Sequence, residues 1–181
     1  RGRLGRYWSS PSGVGIWMSL ILRPNFSPHY APKITALAGL AVLRAVGKAT
    51  GLQVSIKWPN DIILNSKKVC GILTEAQARP NRMEYVVTGI GLNVNTARED
   101  LPDELRESAT SLFIESGHKV NRCRLLAAIL DEFEILYEGY EKTTNFTYIM
   151  EEYKRHCITL GRSVRIIGTN DEWEGRAIDL T

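Results

Sequence analysis

With 181 residues, 44% of them hydrophobic, and a net charge of +3, the chain can bury a core of ordinary domain size, and its basic excess is too small to demand nucleic acid as a partner. No run approaches the roughly 18 apolar residues of a membrane span and no signal peptide opens the sequence, so a cytoplasmic protein is expected. Cys70, Cys123 and Cys157 are scattered, and His29, His118 and His156 show no ligand spacing, so neither a disulfide framework nor a metal site is expected.

The chain opens on Arg1 rather than methionine, as a fragment or a processed product would. Arg1, Gly2, Arg3, Gly5 and Arg6 stand ahead of Tyr7 and Trp8. Glycine lets backbone amides approach an anion, and each guanidinium offers a planar fork matched to phosphate or carboxylate. A disordered basic terminus, or one that touches nucleic-acid phosphates, would have the same composition. Residues 16–22, IWMSLIL, alternate so little that they predict a strand covered on both faces, with either Trp17 and Ser19 or Ile16 and Met18 towards a ligand. Between residues 33 and 50 the apolar positions repeat at helical spacing, with Pro32 suited to the first turn and Gly51 to the position past the end.

Residues 54–75, VSIKWPNDIILNSKKVCGILTE, are the most legible stretch. Val54, Ile56 and Trp58 alternate with Ser55 and Lys57, which sets Lys57 on the face opposite Trp58. Pro59, Asn60 and Asp61 make a turn, the chain returns apolar at Ile62, turns again at residues 65–68 and runs back from Val69. A β-meander with a lysine beside a tight turn is predicted. Residues 83–95 predict a further strand ending in VVTGIGLNVN, where Gly89 and Gly91 permit close backbone approach. Residues 96–119 are polar and irregular, with a short helical stretch near 102–106. Asn121 then caps a long helix whose stripe runs from Leu125 to Tyr140, opposite Arg124, Asp131, Glu132 and Glu138, and a shorter helix follows from 146 to about 157. Residues 163–168 and 172–180 read as two strands, too few to stand alone.

The string KWPNDI followed by KKVCGIL resembles the central motif of the biotin protein ligases, and further stretches match that family in the same order. Arg1, Gly2, Arg3, Gly5, Arg6 and Trp8 match its arginine loop, Asn93 and Asn95 match its G-I-G-x-N-x-N, and residues 109–112 match a recurrent A-T-S-L. The resemblance implies an α+β fold: a mixed, mostly antiparallel sheet with helices packed on it. A catalytic domain would occupy residues 1–159, and a small β-barrel would begin at 160–181. In such a fold the strand at 16–22 crosses the middle of the sheet.

The activity implied is that of a biotin-[acetyl-CoA-carboxylase] ligase: biotin is activated with ATP and Mg²⁺, then passed to a lysine of a biotin carboxyl carrier protein. Lys57, Arg1 and Arg3 would be catalytic. Arg1, Gly2, Arg3, Trp8, Lys57 and Asn93 would bind biotin and nucleotide, Asn93 at the adenine, with Lys68 a weaker candidate for the work of Lys57 and Asp61 orienting the turn. The family's S-T-N motif and glutamine, which lie ahead of the arginine loop, are absent from the sequence, so weak or no activity is implied for these residues alone. A homodimer through the sheet edge would suit the family, and DNA binding gains no support from this chain. Two other readings stand beside this one. A lipoate or octanoate transferase shares the fold, although WPND after Lys57 favours biotin, and a nucleic-acid or partner-binding module would need more aromatics among the basic residues than Tyr7 and Trp8.

Overall fold

The computed structural model describes every residue except Arg1, Arg3, Leu4, Arg6, Asn81, Thr144, Thr169, Asn170 and Thr181. Its main sheet holds β1 (Ile16–Leu22), β2 (Ser55–Lys57), β3 (Asp61–Leu64), β4 (Lys67–Arg79) and β5 (Arg82–Leu92), ordered β1-β5-β4-β3-β2 with every pair antiparallel. Helices α1 (Ala31–Thr50), α2 (Leu112–Ser116), α3 (Arg122–Thr143) and α4 (Thr147–His156) follow the same numbering, and β6 (Ser163–Ile167) pairs with β7 (Glu172–Arg176) in a separate hairpin. The architecture is thus α+β, as expected. No helix among the described residues is long and apolar enough to cross a membrane.

Register explains which face became the core. Cross-strand partners share a face, so Met18, Ile90, Ile72 and Leu20, Thr88, Thr74 form two rows on one side of β1, β5 and β4. Leu92, Cys70, Ile62 and Ile56 continue that side across β5, β4, β3 and β2. Against it lies α1, whose Ile34, Leu37, Ala38, Ala41, Val42, Ala45 and Val46 are fully buried. Burying each leucine or isoleucine contributes about 1.5–3 kcal/mol, which makes this layer the main source of stability. Pro32 sits in the first turn of α1, and Gly51 ends the helix at φ 72°, where its N–H reaches the Gly47 carbonyl. Thr35 donates to Thr74 at 2.9 Å, and so satisfies the polar side chains that this face carries.

Three expectations are corrected. β1 pairs only with β5 and forms an edge of the sheet among the described residues, and its exposure alternates, with Ser19 and Ile21 open. A single layer of helices covers one face only, so an unbroken apolar run did not require a two-sided cover. Trp58 is 51% exposed, because β2 ends at Lys57 and the tryptophan starts the turn instead of extending the strand. The second strand of the C-terminal hairpin stops at Arg176, short of Leu180. Residues 96–119 also contain α2, capped by Ser111 Oγ accepting from the Ile114 N–H, which sequence periodicity over five residues is too short to reveal.

Glu132 departs furthest from its expected place. The stripe on α3 assigns it to the polar face, yet it is 6% exposed, where Lys48 and Arg44 of α1 both bond it and Arg44 also bonds Glu152 of α4. Burial opposes ionisation of Glu132, but the hydrogen bonds from Lys48 and Arg44 outweigh it and hold the carboxyl below its ordinary 4.5. Arg44 does the same for Glu152. A depressed folded-state value stabilises the protein above about 4.5 and loses that effect as pH falls further. Glu132→Gln should therefore cost about 1–3 kcal/mol at pH 7, and urea titrations at pH 7 and pH 3 should show the deficit shrinking in acid. An equal deficit at both pH values would assign the loss to packing.

Candidate functional site

The opposite sheet face carries the site. One row crosses all five strands: Trp17 opposes Gly91, Gly91 opposes Gly71, Gly71 opposes Asp61, and Asp61 opposes Lys57. Two glycines at the centre of a row remove side chains where a flat face would otherwise have them. The trough they leave is filled by the Trp8 indole, which lies 2.8 Å from where a Cβ would stand on either Gly71 or Gly91. Trp17 meets that indole edge-on at 6.3 Å, and the Trp8 Nε1–H is buried with no acceptor among the described residues. Around the trough opens a cleft of about 1440 Å³, lined also by Gly2, Asn60, Lys68, Asn93, Ile158 and Thr159.

A β-bulge determines where Lys68 goes. Strict alternation from Gly71 would send Lys68 to the helix side, but Ile62 opposes Cys70 while Ile63 opposes Lys68, so one extra residue stands in β4. The parity flips, and Lys68 joins the site face. Its ammonium lies 2.6 Å from Asp61 Oδ1 and 5.2 Å from the Trp8 ring centroid. Residues 108–110 hold this irregular stretch, since the Lys68 N–H donates to the Ser108 carbonyl and the Thr110 N–H to the Lys68 carbonyl.

Lys57 ends β2 with its side chain exposed, and its ammonium makes no hydrogen bond or ion pair among the described residues. Everything around it is fixed. On one side the Asn60 side chain donates to the Ile72 carbonyl at 2.7 Å and the Ile72 N–H to the Asn60 carbonyl at 2.9 Å. On the other, the Trp58 N–H donates to Thr159 Oγ1 at 3.0 Å, the Ile158 N–H to the Ile56 carbonyl, and the Tyr153 hydroxyl to the Pro59 carbonyl at 3.2 Å. The result is a free cation on a clamped backbone, positioned beside the glycine trough. Cys70 lies under the same strands on the core face, where burial pushes its thiol up, so it is no nucleophile.

Asn93 lines the cleft and is buried, its Nδ2 donating to the Thr110 carbonyl at 2.9 Å. That bond uses one amide hydrogen and leaves Oδ1 with no bond among the described residues. Asn95 instead exchanges two hydrogen bonds with the Val120 backbone and is structural. The structure therefore brings Gly2, Trp8, Lys57, Lys68 and Asn93 to one cleft. Arg1 and Arg3, expected at the same place, lie outside the described residues. Of the two parities open for β1, Trp17 and Ser19 share the site face, while Met18 packs against the core. Sequence reasoning missed the role of Gly71, Tyr153 and Thr159. Only Gly71 left a signal, as a glycine in mid-strand.

Residues 1–93 match the model of the biotin/lipoate A/B protein ligase family. The chain belongs to that family.

Within it, the chain is 44% identical over 180 residues to the bifunctional ligase/repressor BirA of Bacillus spizizenii, covering 99% of itself and 55% of that protein. It is 33% identical over 171 residues to a biotin-[acetyl-CoA-carboxylase] ligase of Paracoccus denitrificans, covering 69% of that protein. The Aquifex aeolicus biotin protein ligase, solved in complex with biotin and ATP, superposes with a TM-score of 0.84 at 29% identity, over all of this chain and 73% of that one. The chain thus spans about half the length of the Bacillus protein it matches. Lys57, Gly71 and Gly91 of this chain all fall within the matched segment.

Proposed function

We propose that the full-length protein is a biotin protein ligase, which joins biotin to ATP as biotinyl-5'-adenylate and passes the biotin to a lysine of a biotin carboxyl carrier protein. The observation that carries this reading is Lys57, without a partner among the described residues, at the end of a glycine-floored trough in a chain similar to a ligase solved with biotin and ATP. In the first step a carboxylate oxygen attacks the α-phosphorus and pyrophosphate leaves. Two anions must meet, so a fixed cation between them lowers the barrier. Lys57 supplies that charge at the carboxylate and α-phosphate, with its strand already clamped. In the second step the carrier's lysine amine attacks the acyl carbon and AMP leaves.

The trough fits the apolar body of biotin once the Trp8 indole moves aside or closes over it, and moving also gives the orphaned indole N–H a partner. Asn93 keeps an amide hydrogen and a carbonyl oxygen for the adenine edge. By the motif they match, Arg1 and Arg3 add positive charge for the carboxylate and the phosphates, and Gly2 lets backbone approach the ligand. Among the described residues no group of three or more His, Cys, Asp or Glu side chains is arranged to hold a metal. Mg²⁺ would enter with the nucleotide and offset part of its phosphate charge. In the same reading residues 1–159 are catalytic, 160–181 begin a small barrel, and the protein works in the cytoplasm.

The test is isothermal titration of these 181 residues and of the full-length protein with biotinyl-adenylate and, separately, lipoyl-adenylate. Tight biotinyl-adenylate binding by the full-length protein, and weaker binding by the shorter chain, is expected. Preference for the lipoyl compound would assign the protein to the other branch, and binding of neither would remove the ligase reading.

A further inference from the structure

Six charged side chains among the described residues line the cleft: Lys57, Asp61, Lys68, Glu75, Glu107 and Arg162. Asp61 and Lys68 pair with each other at 2.6 Å, and Glu107 pairs with Arg98 at 3.0 Å. Glu75 is also engaged. That leaves two side chains without a partner among the described residues, Lys57 and Arg162, and both are cations. A cleft whose uncompensated charges among the described residues are both positive attracts an anion with more than one charged group.

Arg162 is not placed there by chance of a loose surface loop. Its N–H reaches the Thr159 carbonyl at 3.3 Å, and its own carbonyl accepts from the Ala177 N–H at 3.0 Å, which ties it to the base of the β6–β7 hairpin. Arg176 Nε also donates to the Gly161 carbonyl at 3.0 Å. Thr159 in turn accepts the Trp58 N–H, next in sequence to Lys57. The two cations are therefore carried by backbone segments joined through one threonine, which sets the backbone of one relative to that of the other.

We infer that Arg162 is a further binding residue of the cleft, contacting the phosphate chain of the nucleotide through the segment that leads into the C-terminal hairpin. The inference rests on the ligase reading and adds a second cation to it. Lys57 stands where carboxylate and α-phosphate meet, whereas Arg162, with a fork suited to two oxygens, serves the departing pyrophosphate. The hairpin thereby contributes directly to nucleotide affinity.

The test uses the full-length protein and its Arg162→Ala and Arg162→Lys variants in biotin-dependent exchange of pyrophosphate into ATP. Arg162→Ala should raise KM for ATP about ten-fold and leave KM for biotin unchanged, with Arg162→Lys between, as loss of one charge-assisted contact to phosphate predicts. An unchanged KM for ATP, or equal rises for both substrates, overturns the assignment. Titration of wild type and Arg162→Ala with inorganic pyrophosphate separates the two readings. If wild type shows no exchange but binds pyrophosphate about ten-fold more tightly than the variant, the anion site stands and the ligase reading falls. Equal pyrophosphate affinity sinks the site whatever the exchange shows.

Discussion

Lys57→Ala should lower the rate of adenylate formation by about 10²–10³-fold, the range seen when one preorganised charge-stabilising group is removed from a site. The same substitution should leave Tm nearly unmoved. Lys57 contributes no hydrogen bond or ion pair to the described fold, and its backbone is held by Thr159, Tyr153 and Asn60 whatever side chain the position carries. Substitutions away from a site commonly lower activity by destabilising the fold, and this one separates the two effects. Lys57→Arg should recover little, because a planar fork on a longer side chain does not occupy the seat of a compact ammonium. The measurement is single-turnover adenylate formation in the full-length protein beside a melting curve. A large fall in Tm, or a rate within about three-fold of wild type, would mean that Lys57 serves the fold or nothing at all.

Gly91→Ala tests the trough itself. An added Cβ would stand 2.8 to 3.0 Å from three atoms of the Trp8 indole, closer than a Cβ normally approaches another heavy atom, so the ring must shift from its seat. Trp8 belongs to the segment before β1, so the ring can move without pulling on the sheet, and alanine is better suited than glycine to a strand interior. Folding stability should stay equal or rise by a few tenths of a kcal/mol. Affinity for biotinyl-adenylate should nevertheless fall about 100-fold, since a methyl group in the floor of a close-fitting trough costs about 1–3 kcal/mol by overpacking. Gly89→Ala is the control: it shares the face, but its nearest atoms stand 3.5 Å and further away, so a smaller effect is expected. Titration of the three proteins decides it, and equal affinities would show that the trough is not where the ligand lies.

The two experiments address different parts of one arrangement. Lys57 reports on charge at the end of the row, and Gly91 on shape at its centre. Both depend on the row that runs from Trp17 to Lys57, and neither is evident from any single strand.

The sequence by itself determined a good deal. α1 was legible because twenty residues give several turns of apolar repetition between a proline and a glycine, and the meander from β2 to β4 because its turns carry Pro59, Asn60 and Asn65. KWPND and the glycine-spaced strand pointed to the family, and Lys57 and Asn93 came from those motifs. Local chemistry of this kind is written in neighbouring residues, so it survives without coordinates.

Only the tertiary structure decided the rest, because the deciding contacts join residues far apart in the chain. The bulge opposite Ile62 and Ile63 turns Lys68 to the cleft, and no period-two reading of β4 contains it. Glu132 is polar by pattern and buried in fact, since Arg44 and Lys48 approach it from another helix and make the burial tolerable. Tyr153 and Thr159 reach the turn after Lys57 across about a hundred residues, and through Thr159 the segment that carries Arg162 is tied to the one that carries Lys57. Periodicity records which face a residue prefers, whereas pairing across the fold determines which charges are neutralised and which remain for a ligand.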